Sequence, residues 1–522
     1  MKKYIALLLV ILVSLFVFTY FCQNVNGTHA KLENEKSLLA DLSYADSSAL
    51  SDAKINVLPI FQLLNDENAP PPEKDFSAGH LEKNRDAISI EKTEDGYLAS
   101  MPGEYHIPSP SVYKGTVYVS GGFGSMEYYA LDAKTGEIKW GITLDDDGPS
   151  APAIDQDIIV FNTESCTIFA CDVETGEHLW SYWMGDPLMS MPSIANDIVF
   201  SAYPAYYDQE YYNSLNIDTT GIYPTHVLIA FDLKSGDILW QQWIDGDVMS
   251  APVAKGEDVY VTTFPGTLIK LNQKTGEFLS AKALRATSAP VVYENDEIYI
   301  SRRSDNYNET VTESVSVLAM EEPSQTKDFR KKDAPYLDKE VQEVSALKSE
   351  AMNMDAGNGF GAGAPATSGW EKANENVGYS NVSSLQQYQG SRTLNYNGML
   401  YNTMGDEMIC TDGLTGEEKW RKTLGGDMAA AGGYMGTPPL EVGGYIIVAD
   451  FEGTITIVES KTGELVKEYK TKLSIRSQPV VAEGWIYATT VNGKLVAIDT
   501  KMPAIDGWPT WGANAARTNV SN

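Results

Sequence analysis

The chain has 522 residues, and its 39 Lys and Arg against 71 Asp and Glu give a formal net charge of −32 at pH 7. A surface this acidic repels nucleic acid and anionic lipid headgroups, so nucleic-acid binding is excluded and membrane contact is left to the N-terminal segment. The length exceeds that of one ordinary core, but repeated units that bury surface only against their neighbours avoid this limit.

Residues 1–30 predict export, as a signal peptide or membrane anchor. Two lysines precede an apolar run from Tyr4 to Cys22. This run is close to the ~20 residues that span a bilayer, and it also fits a signal peptide. Three outcomes stay open for this segment: cleavage after Gly27 or Ala30, lipidation of Cys22, and retention as an anchor. Each outcome predicts a periplasmic or extracellular protein, membrane-tethered in the last two.

Residues 31–85 predict a flexible acidic tether. The stretch is polar and contains three successive prolines at 70–72. Polyproline favours an extended chain, and the flanking acidic residues keep it solvated. We expect this segment to hold the remaining domain, 86–522, away from the membrane.

One short motif recurs along this domain with a period near forty residues, the length of a four-stranded propeller blade. The copies are ALDAKTGEIKW (130–140), ACDVETGEHLW (170–180), AFDLKSGDILW (230–240), KLNQKTGEFLS (270–280), CTDGLTGEEKW (410–420), IVESKTGELVK (457–467) and a weak AIDTK (497–501).

Each part of the motif has a structural role. The apolar pair ends one strand, the acidic residue and Thr-Gly form a tight reversal, and Trp lies on the returning strand. Upstream of most copies, Ser-x-Pro precedes two further short strands, as in SAPAIDQDIIVF (150–161). Two hairpins per period predict an all-β, eight-bladed β-propeller, or a seven-bladed one if the fifth blade, from residue 288, does not close. Segment 88–92 or segment 508–519 would complete the last blade.

Two insertions interrupt the repeat, at 202–226 and 322–388. The first is rich in tyrosine, which offers a large contact area with a polar tip. The second begins with charged residues and continues as a Gly/Ala-rich stretch, which indicates a spacer. We take four tyrosines of the first insertion as candidate partner-binding residues, while a loop folded over its own blade is the alternative: Tyr206, Tyr207, Tyr211 and Tyr212.

Acidic residues cluster where one blade leads to the next. These connections share one face of a propeller, and three of their aspartates are further candidates for partner binding: Asp147, Asp186 and Asp247. Arg285 and Arg476 occupy matching connections of later blades, so the face is expected to be acidic on one side and basic on the other. Solubility alone is the simpler explanation of the acidic charge.

The sequence contains no recognisable catalytic or metal-binding motif. Cys171 and Cys410 replace apolar residues of the repeat, so both are expected to be buried. The five histidines lack metal-ligand spacing, and nucleophile-elbow, haem-attachment and phosphate-loop motifs do not occur. We therefore predict no catalytic residue, metal or cofactor from the residues themselves.

The repeated Ala-x-Asp-x-x-Thr-Gly-x-x-x-Trp resembles the repeat of the pyrroloquinoline-quinone (PQQ) propeller superfamily, over about 106–511. The resemblance implies one of two classes. Quinoprotein dehydrogenases oxidise alcohols or sugars with PQQ and Ca²⁺, and their cofactor typically lies against a disulfide between adjacent cysteines, a pair that this chain lacks. Non-catalytic scaffolds, such as the lipoprotein that docks on the outer-membrane barrel-insertion machine, need an export signal, a tether and exposed loops.

The sequence favours the second class. We expect an exported, non-catalytic propeller scaffold that binds a protein or polymeric ligand. A PQQ-dependent alcohol or sugar dehydrogenase and a carbohydrate-binding or sensor module are the alternatives.

Overall fold

The computed structural model describes residues 72–75, 82–83, 88–163, 167–184, 191–205, 226–246, 248, 251–263, 265–284, 286, 289–292, 297–303, 312–318, 320, 327–333, 393–427, 431, 435–502 and 505. The chain divides into two compact units, Met1–Asn56 and Val57–Asn522, and all described residues lie in the second. They form strands and turns and no helix, which confirms the all-β prediction. Accordingly, no membrane-crossing helix occurs among them. The export segment 1–30 lies outside this part of the chain.

Four strands precede the repeats: β1 (Glu73–Lys74), β2 (Glu82–Lys83), β3 (Ser89–Lys92) and β4 (Gly96–Ser100). Sheet 1 follows with β5 (Ser111–Tyr113), β6 (Thr116–Ser120), β7 (Glu127–Asp132) and β8 (Ile138–Thr143). Sheet 2 has β9 (Ala153–Asp155), β10 (Ile158–Asn162), β11 (Thr167–Asp172) and β12 (His178–Trp183). Sheet 3 has β13 (Ser193–Ala195), β14 (Ile198–Pro204), β15 (His226–Asp232) and β16 (Ile238–Ile244). Sheet 4 has β17 (Val253–Lys255), β18 (Asp258–Thr262), β19 (Thr267–Asn272) and β20 (Phe278–Ala283).

The second half of the chain repeats this pattern. Sheet 5 has β21 (Val291–Val292), β22 (Ile298–Arg303), β23 (Thr312–Leu318) and β24 (Lys327–Asp333). Sheet 6 has β25 (Thr393–Tyr396), β26 (Met399–Met404), β27 (Glu407–Asp412) and β28 (Glu418–Thr423). Sheet 7 has β29 (Leu440–Val442), β30 (Tyr445–Ala449), β31 (Thr454–Glu459) and β32 (Leu465–Lys470). Sheet 8 has β33 (Val480–Ala482), β34 (Trp485–Thr489) and β35 (Lys494–Asp499).

The described sheets are antiparallel, and their strands lie side by side in chain order. First strands of neighbouring sheets contact one another from sheet 1 to sheet 3 and from sheet 4 to sheet 7, and β33 of sheet 8 contacts β5 of sheet 1. Buried apolar clusters join sheet 3 to sheet 4 and sheet 7 to sheet 8. The buried apolar clusters likewise join neighbouring sheets, including sheet 8 to sheet 1 through Tyr97, Tyr129 and Tyr487. The first strands therefore lie on the inside of a β-propeller, and the fourth strands form its outer edges.

The N-terminal strands complete three of these sheets. β3 and β4 extend sheet 8 in the order β3-β4-β35-β34-β33, so segment 88–92 completes the last sheet as one of the two alternatives predicted. Segment 508–519 lies outside the described residues. β1 and β2 lie within the predicted tether and pair with the outer strands β12 and β8. Sheet 5 has four strands, and its β24 falls inside the predicted insertion 322–388.

The repeated turn is capped by its acidic residue. In sheet 1, Asp132 Oδ1 accepts hydrogen bonds from the backbone N–H groups of Lys134 and Thr135, at 3.1 and 2.9 Å. Partial burial is the largest single effect on the pKa of the Asp132 carboxyl and raises it. These bonds and the other favourable contacts of the carboxylate together outweigh burial, so the pKa is lowered. The carboxylate therefore has a structural role in the turn.

In sheets 1, 2, 3 and 6, the tryptophan that follows the turn joins its sheet to the next. The Nε1–H of Trp140 donates to the Val173 carbonyl of sheet 2 at 2.8 Å, and the ring packs against Gly176. Trp180, Trp240 and Trp420 make the same bond to their following sheets. Where sheet 8 meets sheet 1, the β4 residue Tyr97 takes this place and donates to the Ala133 carbonyl at 3.2 Å.

Both described cysteines belong to the core. Cys171 and Cys410 are buried free thiols, which confirms the prediction for these two positions. Burial raises the pKa of the Cys171 thiol to about 12 and that of Cys410 to about 11, so neither is a thiolate near neutral pH.

Candidate functional site

Three connections meet at one end of sheet 1: the segment 101–110 between β4 and β5, the loop 121–126 between β6 and β7, and the segment 144–152 between β8 and β9. Backbone hydrogen bonds join them. Phe123 N donates to the His106 carbonyl at 2.8 Å, and Leu144 N donates to the Met126 carbonyl at 2.7 Å. Three separate connections thus form one continuous surface, which we call the loop patch and define by six residues: Tyr105, Phe123, Met126, Asp145, Asp146 and Asp147.

Glycines in loop 121–126 allow this close approach. Gly122 has φ +101°, and a Cβ there would lie 2.5 Å from the His106 carbonyl oxygen. A Cβ on Gly124 would lie 2.9 Å from Cε1 of Tyr105. The aromatic ring therefore rests on backbone that only glycine leaves free.

The loop patch exposes large apolar side chains. Tyr105 is 44% exposed, Phe123 40% and Met126 48%. Single apolar side chains on a surface are ordinary, whereas three on adjoining loops form a contiguous area typical of an interaction site. Tyrosine, phenylalanine and methionine are also enriched in protein interfaces.

The same surface is acidic. The three connections contain four carboxylates, Glu104 and Asp145–Asp147, and neither lysine nor arginine. The one histidine there adds no positive charge near neutral pH, because burial, assisted by the nearby Arg476 guanidinium, lowers the pKa of His106 to about 3. The three connections therefore combine exposed apolar side chains with four acidic residues and no lysine or arginine, which favours a basic partner.

Hydrogen bonds below the surface hold the loop patch to sheet 8. The His106 Nε2 lies 2.9 Å from Ser477 Oγ, and this hydroxyl donates to the Ile107 carbonyl at 3.1 Å. Because the hydroxyl proton is used there, the serine oxygen accepts from the Nε2–H tautomer of the imidazole. Ile107 N in turn donates to the Thr490 carbonyl at 3.2 Å. The surface is thus fixed at its base by two sheets.

Arg476, which the sequence placed in a matching connection, faces sheet 7. Its guanidinium donates to the Ala431 carbonyl at 2.8 Å and lies 4.4 Å from the Phe451 ring centre. The second arginine of that prediction, Arg285, lies outside the described residues.

Among the candidate residues from the sequence, the structure describes Asp147. This residue is half-buried in the loop patch, and its N–H donates to Asp146 Oδ1 at 3.0 Å. The other six candidates lie outside the described residues: Asp186, Asp247, Tyr206, Tyr207, Tyr211 and Tyr212. Asp245, in the connection that also holds Asp247, is buried and accepts a hydrogen bond from Thr267 Oγ1.

Sequence reasoning missed the apolar half of the loop patch. The signal was present in the run GGFGSM at 121–126, which stands where sheet 7 has the short turn DFEG and sheet 8 has TVNG. Two large apolar residues in a glycine-rich loop are unusual for a turn that only connects strands. In the ranges that the structure describes, no group of three or more His, Cys, Asp or Glu side chains is placed to hold a metal ion.

Comparisons with known proteins give a family and several similar structures. The model of the family described as outer membrane protein assembly factor BamB matches residues 99–203, 223–279 and 367–503. No curated protein gives a significant match.

Three solved structures match most of this chain at low sequence identity. BamB from Moraxella catarrhalis is 15% identical with a TM-score of 0.44, over 81% of this chain and 97% of that one. The quinohemoprotein alcohol dehydrogenase ADHIIG from Pseudomonas putida HK5 is 12% identical with a TM-score of 0.44, over 81% and 74%. Saccharomyces cerevisiae Sqt1 is 8% identical with a TM-score of 0.49, over 80% and 99%. Identities this low do not transfer an activity.

The family match confirms the resemblance to PQQ-like propeller repeats that the recurring Asp-x-x-Thr-Gly turn indicated. Because the match spans more than half of the 522 residues, the chain belongs to the family of outer membrane protein assembly factor BamB.

Proposed function

We propose that this protein is an exported, non-catalytic, eight-bladed propeller scaffold that binds a protein partner through the loop patch. The eight described sheets support the count of blades, because strand contacts and shared apolar clusters run from sheet 1 round to sheet 8 and back to sheet 1. The apolar run at residues 4–22 supports export and a periplasmic or extracellular location. Lipidation of Cys22 or retention of residues 1–30 would tether the scaffold to a membrane.

The observation that carries the proposal is the pairing of exposed Tyr105, Phe123 and Met126 with Asp145–Asp147 on one hydrogen-bonded surface. Apolar side chains supply most of the binding energy at the centre of an interface, and charges around them select the partner and speed its encounter. The fitting partner is therefore a protein segment with an apolar anchor flanked by lysine or arginine. Loops already fixed by hydrogen bonds lose little conformational entropy on binding.

The remaining candidate residues extend this proposal. Asp186 and Asp247 belong to the connections that follow sheets 2 and 3, which correspond to the Asp145–Asp147 connection of sheet 1. They would continue the acidic surface toward the tyrosine-rich insertion with Tyr206, Tyr207, Tyr211 and Tyr212. A polymeric ligand such as a carbohydrate would use the same tyrosines, and a sugar-binding screen separates that alternative from protein binding.

The PQQ-dependent dehydrogenase is the second candidate, and the superfamily repeat is what favours it. The chain lacks the adjacent cysteines that the resemblance associates with the cofactor, and its two described thiols are each buried and free. Calorimetric titration of the protein with PQQ and Ca²⁺ decides between the classes. Saturable one-to-one binding would support the dehydrogenase, and absence of heat would support the scaffold.

Photo-crosslinking tests partner binding at the loop patch. We would place a photoreactive phenylalanine at Phe123 in the full chain, and at Leu414 as the matched control. Leu414 is also apolar and exposed, but it lies in the β27–β28 turn, at the opposite end of its sheet. We expect a crosslinked protein from position 123 that is lost when Asp145, Asp146 and Asp147 are all replaced by Asn, and none from position 414. Equal crosslinking from both positions would contradict the proposal.

A further inference from the structure

The outer strands of the described sheets differ in charge. An open sheet edge can pair with another chain, and lysine or other charged residues on the edge normally prevent this. Most outer strands carry such charges: Lys139 in β8, Lys282 in β20, Arg421 in β28 and Lys467 in β32, together with six of the seven residues of β24 (KDFRKKD). In contrast, β12 (HLWSYW) and β16 (ILWQQWI) contain no Asp, Glu, Lys or Arg.

These two uncharged strands each expose a leucine near the start, Leu179 in β12 (44%) and Leu239 in β16 (45%), and they differ further along. In β16, Gln241, Gln242 and Trp243 are buried, whereas Trp183 of β12 is 43% exposed. The His178 side chain does not supply a charge near neutral pH, because its burial lowers the pKa of the imidazole, with Asp75 opposing the shift. β12 is therefore an uncharged outer strand with exposed large apolar side chains, the combination that favours edge-to-edge pairing.

The chain covers this edge with its own N-terminal segment. Strand β1 pairs antiparallel with β12, with Glu73 opposite Trp183 and Lys74 opposite Tyr182. The next residue continues the contact: Asp75 N donates to the Ser181 carbonyl at 2.7 Å, and Asp75 Oδ1 accepts from Ser181 N at 3.2 Å.

The covering segment Glu73–Asp75 brings charge to the edge and ties it to sheet 3. All three of its residues are ionisable and exposed. Lys74 Nζ donates to the Ser235 carbonyl at 3.2 Å and lies 3.6 Å from a carboxylate oxygen of Asp237, both in the turn before β16. The segment therefore gives β12 the charges that most of the other outer strands carry in their own sequences.

We propose that Glu73–Asp75 is a guard strand, and that β12 beneath it is a strand-pairing surface whose occupant, once the guard is displaced, is β12 of a second copy of this chain. Two β12 edges are identical, so they can pair antiparallel about a two-fold axis. That pairing would also bring the exposed Leu179 and Trp183 of each copy against the other copy, which buries apolar surface that the guard leaves partly open. The inference is independent of the proposed partner and of the loop patch.

The substitution Asp75→Pro tests the guard strand, because it removes both bonds to Ser181: the N–H that donates and the carboxylate that accepts. Asp75→Asn is the matched control, since it keeps the N–H and an acceptor oxygen and removes only the charge. We would measure the mass of the full chain in a mild detergent by light scattering over a hundredfold range of concentration. We expect Asp75→Pro to double in mass as concentration rises, and the wild type and Asp75→Asn to keep a single mass.

A second substitution separates strand pairing from misfolding. Adding Leu179→Lys to Asp75→Pro places a charge on the freed edge, and we expect it to restore the single mass, which it would not do for a misfolded aggregate. Cleavage after Glu73 by a glutamate-specific protease reports release of the guard and should rise at least tenfold in both Asp75→Pro variants. Three results would each overturn the proposal. The mass could stay unchanged although the guard is released, the self-association could persist with Leu179→Lys, or Asp75→Pro could fail to release the guard.

Discussion

The glycine of the repeated turn has two separable roles, backbone conformation and contact with the preceding sheet. Gly236 has φ +68°, and a Cβ there would lie 2.5 Å from Cγ of Trp180. Gly115 has a similar φ of +70°, but a Cβ on it would have nothing within 4 Å. Gly115→Ala should lower the free energy of unfolding by about 1 kcal/mol through backbone strain. Gly236→Ala should lower it by a further ~1–3 kcal/mol, because the Trp180 ring must move.

Urea unfolding of the two alanine variants measures this difference directly, since the shared φ cancels between them. Equal losses would show that Trp180 shifts without cost and would contradict the role given to the contact.

The positive φ of Gly236 was foreseeable from the Asp-x-x-Thr/Ser-Gly pattern alone. The contact with Trp180 was not, because the two residues belong to different sheets and pack together only after both have formed.

The carbonyl that accepts the tryptophan hydrogen bond has two donors at one junction between sheets and one donor at another. Between sheets 1 and 2, the Val173 carbonyl accepts from Trp140 at 2.8 Å and also from Tyr118 Oη at 3.1 Å. Between sheets 2 and 3, the Leu233 carbonyl accepts from Trp180 at 2.9 Å. Val160 takes the position of Tyr118 in sheet 2, so no tyrosine supports that bond.

Replacement of each tryptophan by phenylalanine should therefore cost different amounts. Trp140→Phe leaves the Val173 carbonyl bonded to Tyr118, whereas Trp180→Phe leaves the buried Leu233 carbonyl without its indole donor. An unsatisfied buried acceptor costs ~1–3 kcal/mol, so we expect Trp180→Phe to lower the free energy of unfolding by about 1 kcal/mol or more beyond Trp140→Phe. Chemical unfolding of both variants gives the comparison. A larger loss for Trp140→Phe would contradict it.

The sequence predicted the strands that carry an alternating apolar pattern, and it missed those held in place by their neighbours. The strands around each Asp-x-x-Thr-Gly turn were foreseeable, because apolar pairs, turn chemistry and spacing agree. Strand β24 (KDFRKKD) was assigned to an insertion, since charged residues give no such pattern; it forms because β23 offers it an open edge. The two-residue strands β1 and β2 were assigned to a tether for the same reason.

The candidate site was predictable in its charge and not in its apolar half. Asp147 was identified because the acidic connections recur between repeats. Tyr105 and Phe123 lie in loops outside the repeated motif, and no spacing rule brings them together. Their proximity depends on the hydrogen bond from Phe123 N to the His106 carbonyl. That contact arises only when β4, from the N-terminal segment, joins sheet 8 beside sheet 1.

The whole propeller is closed by pairing its two ends, β4 and β35. Ser100 lies opposite Lys494 in this pairing, and Lys494 Nζ donates to Ser100 Oγ at 3.3 Å across 394 residues of sequence. A covalent link here would close a far longer loop of the unfolded chain than a link within one sheet, so it would remove more conformational freedom.

A disulfide between Ser100→Cys and Lys494→Cys tests this closure. The stabilisation by a disulfide is typically ~2–4 kcal/mol and increases with the length of the loop that it closes. Thr454→Cys with Lys470→Cys is the matched control, because these residues also lie opposite each other but within sheet 7 and close a short loop. We expect the oxidised β4–β35 variant to gain about 1–2 kcal/mol more than the control, each measured against its reduced form. An equal or smaller gain would contradict the expectation that joining the two ends of the propeller restricts the unfolded chain more than a link within one sheet.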